Sequence, residues 1–446
     1  LDGNRIKLMV DGIEQPTAYN PGGDVMNKGP NAYEIDTLSA VEINKGPASS
    51  LYGSDALGGA ILLRTKNPED VLAEGDSNHV ALKAGYGSSN EAYKATIEVA
   101  KRYQKWEGLA IYTYRDGSET KTPSSGEDIN GRDRGQADPL DFDSHNLLLK
   151  TNYALNDAHT FGLVAELFQR ESKSTILSNE GYSIFPGFTY TNVTGEDKDT
   201  RSRVGINHTW LANNAAFDDL FWQLSHQQSK SEHNNYDTTD LYGSRNRERN
   251  GEDSSLQFDA QFNKLLEFDH GSHEISYGLT AINSDFELDY RTHYYDTGTV
   301  DPGAPEVPKA EAEKRGIFIQ DHMYLMDERL VVTAGLRYDD YKATPDASSG
   351  FEEHNSDALT KRLGAVYHWN QQVSTFVQYS EGFRAPTLEE LYYAFDNSGH
   401  GYATLSNPNL KPEKTIDYEL GFQQVLSKSS SLKISAFYRE QRDQVA

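Results

Sequence analysis

The sequence predicts an all-β chain, most of it a transmembrane antiparallel β-barrel. Three observations predict this. The chain is poor in hydrophobic residues, 36%, yet carries 27 tyrosines and 18 phenylalanines. Long stretches alternate apolar and polar residues with a period of two, the repeat of a strand with one apolar face. The connections between these stretches alternate between short and long.

Composition narrows the choices first. Disordered chains are short of aromatics, whereas a barrel with a wet interior and interfacial aromatic girdles combines low hydropathy with many of them. A soluble all-β protein fits the composition equally well. The formal net charge of −26 argues against nucleic-acid binding, which needs a basic face. With no cysteine, disulfides, thiolate metal sites and cysteine nucleophiles are all excluded. No stretch approaches the roughly 18 consecutive apolar residues of a membrane-crossing helix; barrel strands carry a weaker, alternating signal. Leu1-Asp2-Gly3-Asn4-Arg5 lacks the charged and apolar regions of a signal peptide. The expectation is a fragment, truncated at both ends.

Taken in order, residues 1–70 hold short apolar strands at Ile6–Val10, Ala40–Ile43 and Ala60–Leu63, set between Gly-rich turns. After Asn67-Pro68-Glu69-Asp70 the texture changes, and residues 71–446 are dominated by long alternations. Tyr93, Ala95, Ile97 and Val99 oppose Lys94, Thr96 and Glu98. Val204, Ile206, His208 and Trp210 alternate with Gly205, Asn207 and Thr209. The same holds for Ile275–Ala281, Leu363–Trp369 and Leu432–Tyr438. About fifteen such strands are expected, many of roughly 9–13 residues, the length that spans a bilayer when tilted; soluble strands average about 5–6.

Short connections fall at Asn156–Ala158, Met326–Glu328, Asn370–Gln372 and Ser427–Ser429. Long polar ones are expected near 116–143, 172–199, 231–253, 285–313, 341–358 and 382–414. An up-and-down barrel with tight turns at one end and long loops at the other has this rhythm. The long loops carry acid, including Glu119, Glu127, Asp128, Glu196, Asp197, Glu252, Asp253 and Glu353, as solvated surfaces do. None of these stretches has the spacing of an EF-hand calcium loop.

Two segments carry a resemblance. Val41–Lys66 reads Val-Glu-Ile-Asn-Lys-Gly-Pro-Ala-Ser-Ser-Leu-Tyr-Gly-Ser-Asp-Ala-Leu-Gly-Gly-Ala-Ile-Leu-Leu-Arg-Thr-Lys. It closely resembles the end of the plug domain of TonB-dependent outer-membrane receptors, and Val10-Asp11-Gly12 fits the same plug. The resemblance implies a plug domain, its C-terminal part at 1–70, followed by a barrel that has 22 strands in full-length relatives and is incomplete here. It further implies the outer membrane of a Gram-negative bacterium, contact with outer-membrane lipid, and energy supplied by the TonB–ExbB–ExbD complex, whose contact segment is absent from this chain.

In the second segment Phe383-Arg384-Ala385-Pro386 is followed by Leu388–Tyr392, His400 and Asn407-Pro408-Asn409-Leu410-Lys411-Pro412-Glu413. This order resembles the haem and haemoglobin receptor subfamily, which implies that His400, in an outer loop between the two motifs, ligates haem iron. Imidazole suits iron, and Gly399 and Gly401 leave the backbone around it free. A plug-loop histidine also belongs to that subfamily's pattern. Here Ile13–Met26 contains none, and Tyr19 is the residue able to offer a phenolate instead.

Haem, free or from haemoglobin, is then a transported ligand and not a catalytic cofactor, and no metal beyond haem iron is expected. No Gly-x-Ser-x-Gly elbow, Walker loop or His-Glu-x-x-His pair is present, so catalysis is not expected. His208, His322 and His368 fall within strand alternations and read as structural. The rival readings are a receptor for a ferric siderophore or other metal chelate, a passive porin-like channel, and a surface adhesin.

Overall fold

The computed structural model describes residues 3–19, 29, 33–122 and 126–445 of the chain. Its N-terminal part is a small mixed sheet. Strands β1 (Ile6–Val10), β2 (Ile13–Glu14), β3 (Leu38–Lys45) and β4 (Gly59–Thr65) lie in the order β2-β1-β4-β3. β1 runs parallel to β4, and β3 antiparallel to it. Val10, Ile13 and Leu63 are buried and anchor this sheet. Two single-turn helices, α1 (Ser49–Tyr52) and α2 (Pro68–Val71), flank β4. Pro68 opens α2, where its missing N–H is no loss.

A much larger sheet follows. Its strands are β5 (Asn78–Gly87), β6 (Ala92–Tyr103), β7 (Trp106–Ser118), β8 (Leu140–Asn156), β9 (His159–Thr175), β10 (Ser183–Phe185), β11 (Phe188–Leu211) and β12 (Asp219–Thr239). It continues through β13 (Gly243–Phe268), β14 (Gly271–Tyr294), β15 (Thr299–Asp301), β16 (Ala310–Leu325), β17 (Leu330–Pro345), β18 (His354–His368) and β19 (Val373–Arg384). After helix α3 (Leu388–Tyr392) and a separate hairpin of β20 (Phe395–Asn397) and β21 (Tyr402–Thr404), β22 (Glu413–Ser427) and β23 (Ser430–Arg442) complete it.

Of the seventeen strands in this sheet, β10 and β15 are three-residue additions. The remaining fifteen form a wall of antiparallel neighbours running from β5 to β23. No residue register among those described joins β5 to β23, and both strands are largely exposed. This agrees with the expected number of strands.

Burial in the wall is inside out relative to a soluble protein. Val80, Leu82, Val204, Ile317, Leu363 and Ile434 are exposed, while Arg201, Arg203, Gln227 and Gln257 are fully buried. Water would penalise so large an apolar band, since soluble monomers seldom expose patches beyond a few hundred Å². Lipid does not. The alternation read from the sequence therefore points its apolar face outward and its polar face toward the lumen.

Two aromatic belts border the band. Near the short turns, Trp106 pairs with Tyr153 at 4.5 Å, Phe262 with Tyr277 at 5.1 Å, and Tyr367 with Trp369 at 4.8 Å between ring centres. Near the other end, Tyr86 pairs with Tyr93 at 4.9 Å and Tyr379 with Tyr418 at 5.2 Å. Tyr93 and Tyr103 on β6 mark the two belts. Ten residues rising about 3.3 Å each and tilted about 40° separate them by ~25 Å, the height of a barrel's apolar band.

The expected connections need one correction. All four predicted short turns lie between strand pairs at one end, and Met326, Asp327 and Glu328 turn with positive φ. The predicted long loop at 231–253 is instead almost all strand: β12 and β13 pair continuously and are joined only by residues 240–242. Much of 172–199, 285–313 and 341–358 is likewise paired. Polarity on both faces signals contact with water, not loss of strand pairing, because the ladder satisfies the backbone wherever the side chains point.

The N-terminal sheet sits against the lumen face of the wall. Asp11 accepts from Arg203 Nη2 at 2.7 Å and faces Lys150 Nζ at 3.2 Å. Glu34 accepts two bonds from Arg115, Asp36 pairs with Lys94, and Lys66 pairs with Glu98. These contacts fix it to β6–β11. Gln223 and Gln257 of the next strands bond the backbone around Asp11 and Gly12.

Candidate functional site where the outer loop meets the N-terminal sheet

The two segments singled out in the sequence meet in space. The Phe383 N–H donates to Ser49 Oγ at 3.0 Å, and Ser49 Oγ donates to the Phe383 carbonyl at 3.2 Å. The Asp55 N–H reaches the same carbonyl, and the Ala385 N–H donates to Ser54 Oγ at 3.0 Å. Gly382 permits this approach: a Cβ there would lie 3.0 Å from Pro47 Cβ and 3.4 Å from the Ala56 carbonyl. Residues 382–385 thus run alongside 47–57, the stretch that resembles the plug's end.

Arg384 is fully buried. Its guanidinium forks onto Glu390 at 2.8 and 2.7 Å, and its Nε donates to Glu413 at 3.0 Å. Glu413 also accepts from Arg5 at 3.0 and 2.7 Å. Glu390 and Thr387 form a capping box that starts α3. One network therefore joins the Gly3–Arg5 turn, the end of β19, α3 and the start of β22. A bidentate arginine is suited to it, because its planar fork matches two carboxylates in fixed directions.

The second motif holds the far end of the loop. The Asn407 N–H donates to the Leu391 carbonyl at 2.9 Å, His354 Nδ1 donates to the Pro408 carbonyl at 2.8 Å, and the Asn409 N–H bonds Asn407 Oδ1. Leu410 packs on a buried cluster that contains Tyr19, Phe286, Tyr290, Tyr341, Leu391 and Tyr392. Phe383–Pro386 and Asn407–Leu410 are thus the two feet of the loop, held by bonds within the protein itself.

Between the feet stands the β20–β21 hairpin, with Asn397 opposite Tyr402. Ser398–His400 form a 3-10 turn closed by Gly401 at φ +90°. A Cβ added at Gly399 or Gly401 would meet no atom within 4 Å, and Tyr402 and Leu405 are exposed. The His400 backbone is therefore at an open hairpin tip; its side chain lies outside the described part of the structure.

Tyr19 lies elsewhere. It is buried, with its ring 5.7 Å from that of Phe286. Burial pushes its phenol well above the usual range, and Tyr290 and Glu306 nearby push the same way. The phenolate form is disfavoured here, so ligation by Tyr19 would first require it to leave the cluster. The described contacts do not join Tyr19 to the hairpin. Asn20–Lys28 of the same loop lie outside the described residues.

Beneath α3 is a cavity of about 100 Å³ lined by Tyr19, Phe286, Pro386, Leu388 and Lys314. Small-molecule sites span about 300–1,000 Å³, so this cleft is too small to hold a porphyrin as it stands. A larger cavity of about 400 Å³ lies between the N-terminal sheet and the wall, bordered by Gln257, Asp259, Arg337 and Asp339. Glu14, Lys314, Ile282 and Tyr341 line both.

Sequence reading missed the ion clusters that seat the N-terminal sheet. Glu166 bridges Arg201 at 2.7 Å and Arg203 at 3.3 Å, all three fully buried. Lys314 reaches Glu14 and, at 3.1 Å, Asp55. The period-two pattern already places these residues on the polar face. Their partners are not local: Lys314 lies 300 positions from Glu14 and 259 from Asp55, and Glu166 pairs across to a different strand.

Comparison with known proteins agrees with this architecture. Residues 133–446 match the model of the TonB dependent receptor-like β-barrel, and residues 1–60 that of the TonB-dependent receptor plug domain. Haemoglobin-haptoglobin utilization protein B of Neisseria meningitidis is 25% identical over 99% of this chain and 62% of its own length. Haemoglobin-binding protein A of Haemophilus influenzae is 32% identical over 40% of this chain and 19% of its own. The chain thus spans about three fifths of the first of these relatives. Among solved structures, the haemophore receptor HasR of Serratia marcescens, in complex with its haemophore HasA and haem, superposes with a TM-score of 0.73 at 15% identity, covering 99% of this chain and 66% of that one. The FrpB iron transporter of Neisseria meningitidis gives 0.73 at 17% identity, over 99% and 65%. The family match covers most of both the inner sheet and the wall, and the chain belongs to the TonB-dependent receptor family.

Proposed function

We propose that the protein is an outer-membrane receptor that takes up haem, free or from haemoglobin, by TonB-dependent transport. The observation that carries this reading is the loop between its two anchored feet. The 383–386 and 407–410 segments fix a hairpin whose open tip is His400. An imidazole on such a tip can reach an incoming porphyrin without disturbing the barrel. The exposed Tyr402 and Leu405 beside it offer apolar surface to a porphyrin or a haem protein. The names of the relatives, haemoglobin-haptoglobin utilization protein B and haemoglobin-binding protein A, support the same substrate.

In this reading the outer loops capture the ligand, binding is felt by the plug through the 383–385 contacts, and the TonB–ExbB–ExbD complex pulls the plug to open a path. No covalent step is required, and haem is cargo. A ferric siderophore receptor is the second reading, favoured by fold alone: the ferric yersiniabactin receptor FyuA of Yersinia pestis superposes with a TM-score of 0.65 at 16% identity.

Hemin titration of the detergent-solubilised full-length receptor, followed at the Soret band, tests the assignment. Wild type is expected to shift the band on binding, and His400→Ala to lose that shift and weaken binding. An unchanged spectrum and affinity in His400→Ala removes His400 as the ligand. Failure of wild type to bind hemin or support growth on haemoglobin iron removes the substrate.

A further inference from the structure

The plug is held by different contacts on its two sides. Toward β6–β11 it is bonded by Asp11 to Arg203 and Lys150, by Glu34 to Arg115, by Asp36 to Lys94 and by Lys66 to Glu98. Toward β12–β17 it is held by amides, with Gln223, Gln257 and Gln227 bonding the backbone at Asp11, Gly12 and Glu14, and a cavity of about 400 Å³ lies between it and the wall. That volume falls within the range of small-molecule sites. Arg337 lies in it, donating from Nε to both oxygens of Asp339 at 2.9 Å. Gly53 and Gly316 keep the space around this pair: a Cβ on either would come within 3.0 or 2.2 Å of Arg337 Nη2. The lining mixes apolar side chains such as Leu51, Leu62 and Leu279 with the charged and amide groups of Arg337, Asp339 and Gln257 that water can reach.

Three side chains of the wall, Lys314, Ile282 and Tyr341, border both this space and the cleft under the outer loop, and Lys314 is the charged one. Lys314, on the lumen face of β16, donates to Glu14 and to Asp55, both on the plug. Glu14 is also held by Lys7 at 2.6 Å. Lys314 and Glu14 border the cleft on one side and the cavity on the other.

We propose that ligand passes the plug along β13–β17, and that the Lys314 contact with Glu14 and Asp55 is the bolt closing this passage. The bolt can be withdrawn without freeing the plug. Losing Lys314 leaves Glu14 paired with Lys7, leaves the Asp55 N–H on the Phe383 carbonyl, and leaves the whole β6–β11 attachment intact. The proposal rests on the uptake reading for its purpose, but not on which ligand is carried.

The test is ion current through full-length receptor in planar lipid bilayers bathed in KCl. Wild type should be nearly silent. Lys314→Met is expected to raise the current at least tenfold, and Lys314→Arg, which keeps the charge, to stay near wild type. Arg115→Met, which cuts an ion pair on the opposite side, should also stay near wild type. Silence of Lys314→Met overturns the proposal, as does equal current through Arg115→Met, because the plug would then be loosening as a whole. If Lys314→Met fails to insert as a barrel, Glu14→Gln/Asp55→Asn withdraws the bolt from the plug side and is read by the same criteria. Conducting Lys314→Met alongside failed hemin binding would sink the substrate assignment and leave the passage standing.

Discussion

Asp11 is the most informative position on which to test how the plug is held. Its carboxylate accepts from the Thr65 N–H at 2.7 Å, Thr65 Oγ1 at 2.6 Å and Arg203 Nη2 at 2.7 Å, with Lys150 Nζ at 3.2 Å. Burial alone would raise its pKa, but Arg203 and Lys150 outweigh burial and hold it well below the usual carboxylate range. Asp11→Asn keeps the shape and removes the charge. Arg203 keeps Glu166, which it already shares with Arg201, so two buried guanidinium groups are left with one carboxylate. Removing one partner of a buried pair costs about 3–5 kcal/mol. At the lower end, about 3 kcal/mol, the equilibrium for local opening of the plug rises roughly 100-fold.

Hydrogen exchange on the full-length receptor reads this directly. Amides of β1 and β4 should exchange about two orders of magnitude faster in Asp11→Asn, with wall amides of β16–β18 unchanged. Asp70→Asn, which cuts the partly exposed Arg64–Asp70 pair, should change exchange by a factor of about five at most, as surface pairs contribute about 0–1 kcal/mol. Plug exchange within threefold of wild type in Asp11→Asn, or acceleration spread evenly over plug and wall, would refute the reasoning.

Two further outcomes follow from the same geometry. Val204 is exposed and lies six residues from Trp210 at the short-turn end of β11, about 20 Å along the strand and about 15 Å in depth; Val204→Arg should lower barrel stability in urea by about 2–4 kcal/mol when refolded in lipid vesicles, and a change within about 0.5 kcal/mol would mean that this face meets water. Glu14 is buried, which raises its pKa, but Lys314 and Lys7 prevail and hold it at about 2 against an ordinary 4.5. Its contribution is complete above pH 4.5 and lost as pH falls toward about 2, so plug protection should decline across that window in wild type and by a smaller increment in Glu14→Gln; identical declines in both would remove Glu14 from the account.

Much of the molecule was legible because a strand's side-chain period is a local property. Tyr93–Val99, Val204–Trp210 and Leu363–Trp369 each declared an apolar face without reference to any other part of the chain, and the wall follows them. The same local reading failed at 231–253. There both faces are polar, so the period carries no contrast, and only the pairing of β12 with β13 shows that the segment is strand. The loop motifs were legible as motifs but not as parts. Phe383–Pro386 and Asn407–Leu410 were expected to flank a ligand, and the structure uses them first as feet: Arg384 on Glu390 and Glu413, Phe383 on Ser49, Pro408 under His354.

By itself the sequence determined the inside-out wall, the run of about fifteen strands, the plug segment at its head and the loop in which His400 lies, because period, turn chemistry and local motif need no distant partner. Only the tertiary structure decided which buried charges meet. Arg203 finds Asp11, Arg5 finds Glu413 and Lys314 finds Glu14 across separations of roughly 190 to 410 residues. A buried ion persists where an opposite charge repays its lost hydration. The sequence shows the charge but not what stands opposite it, and that opposition is what seats the plug against the wall.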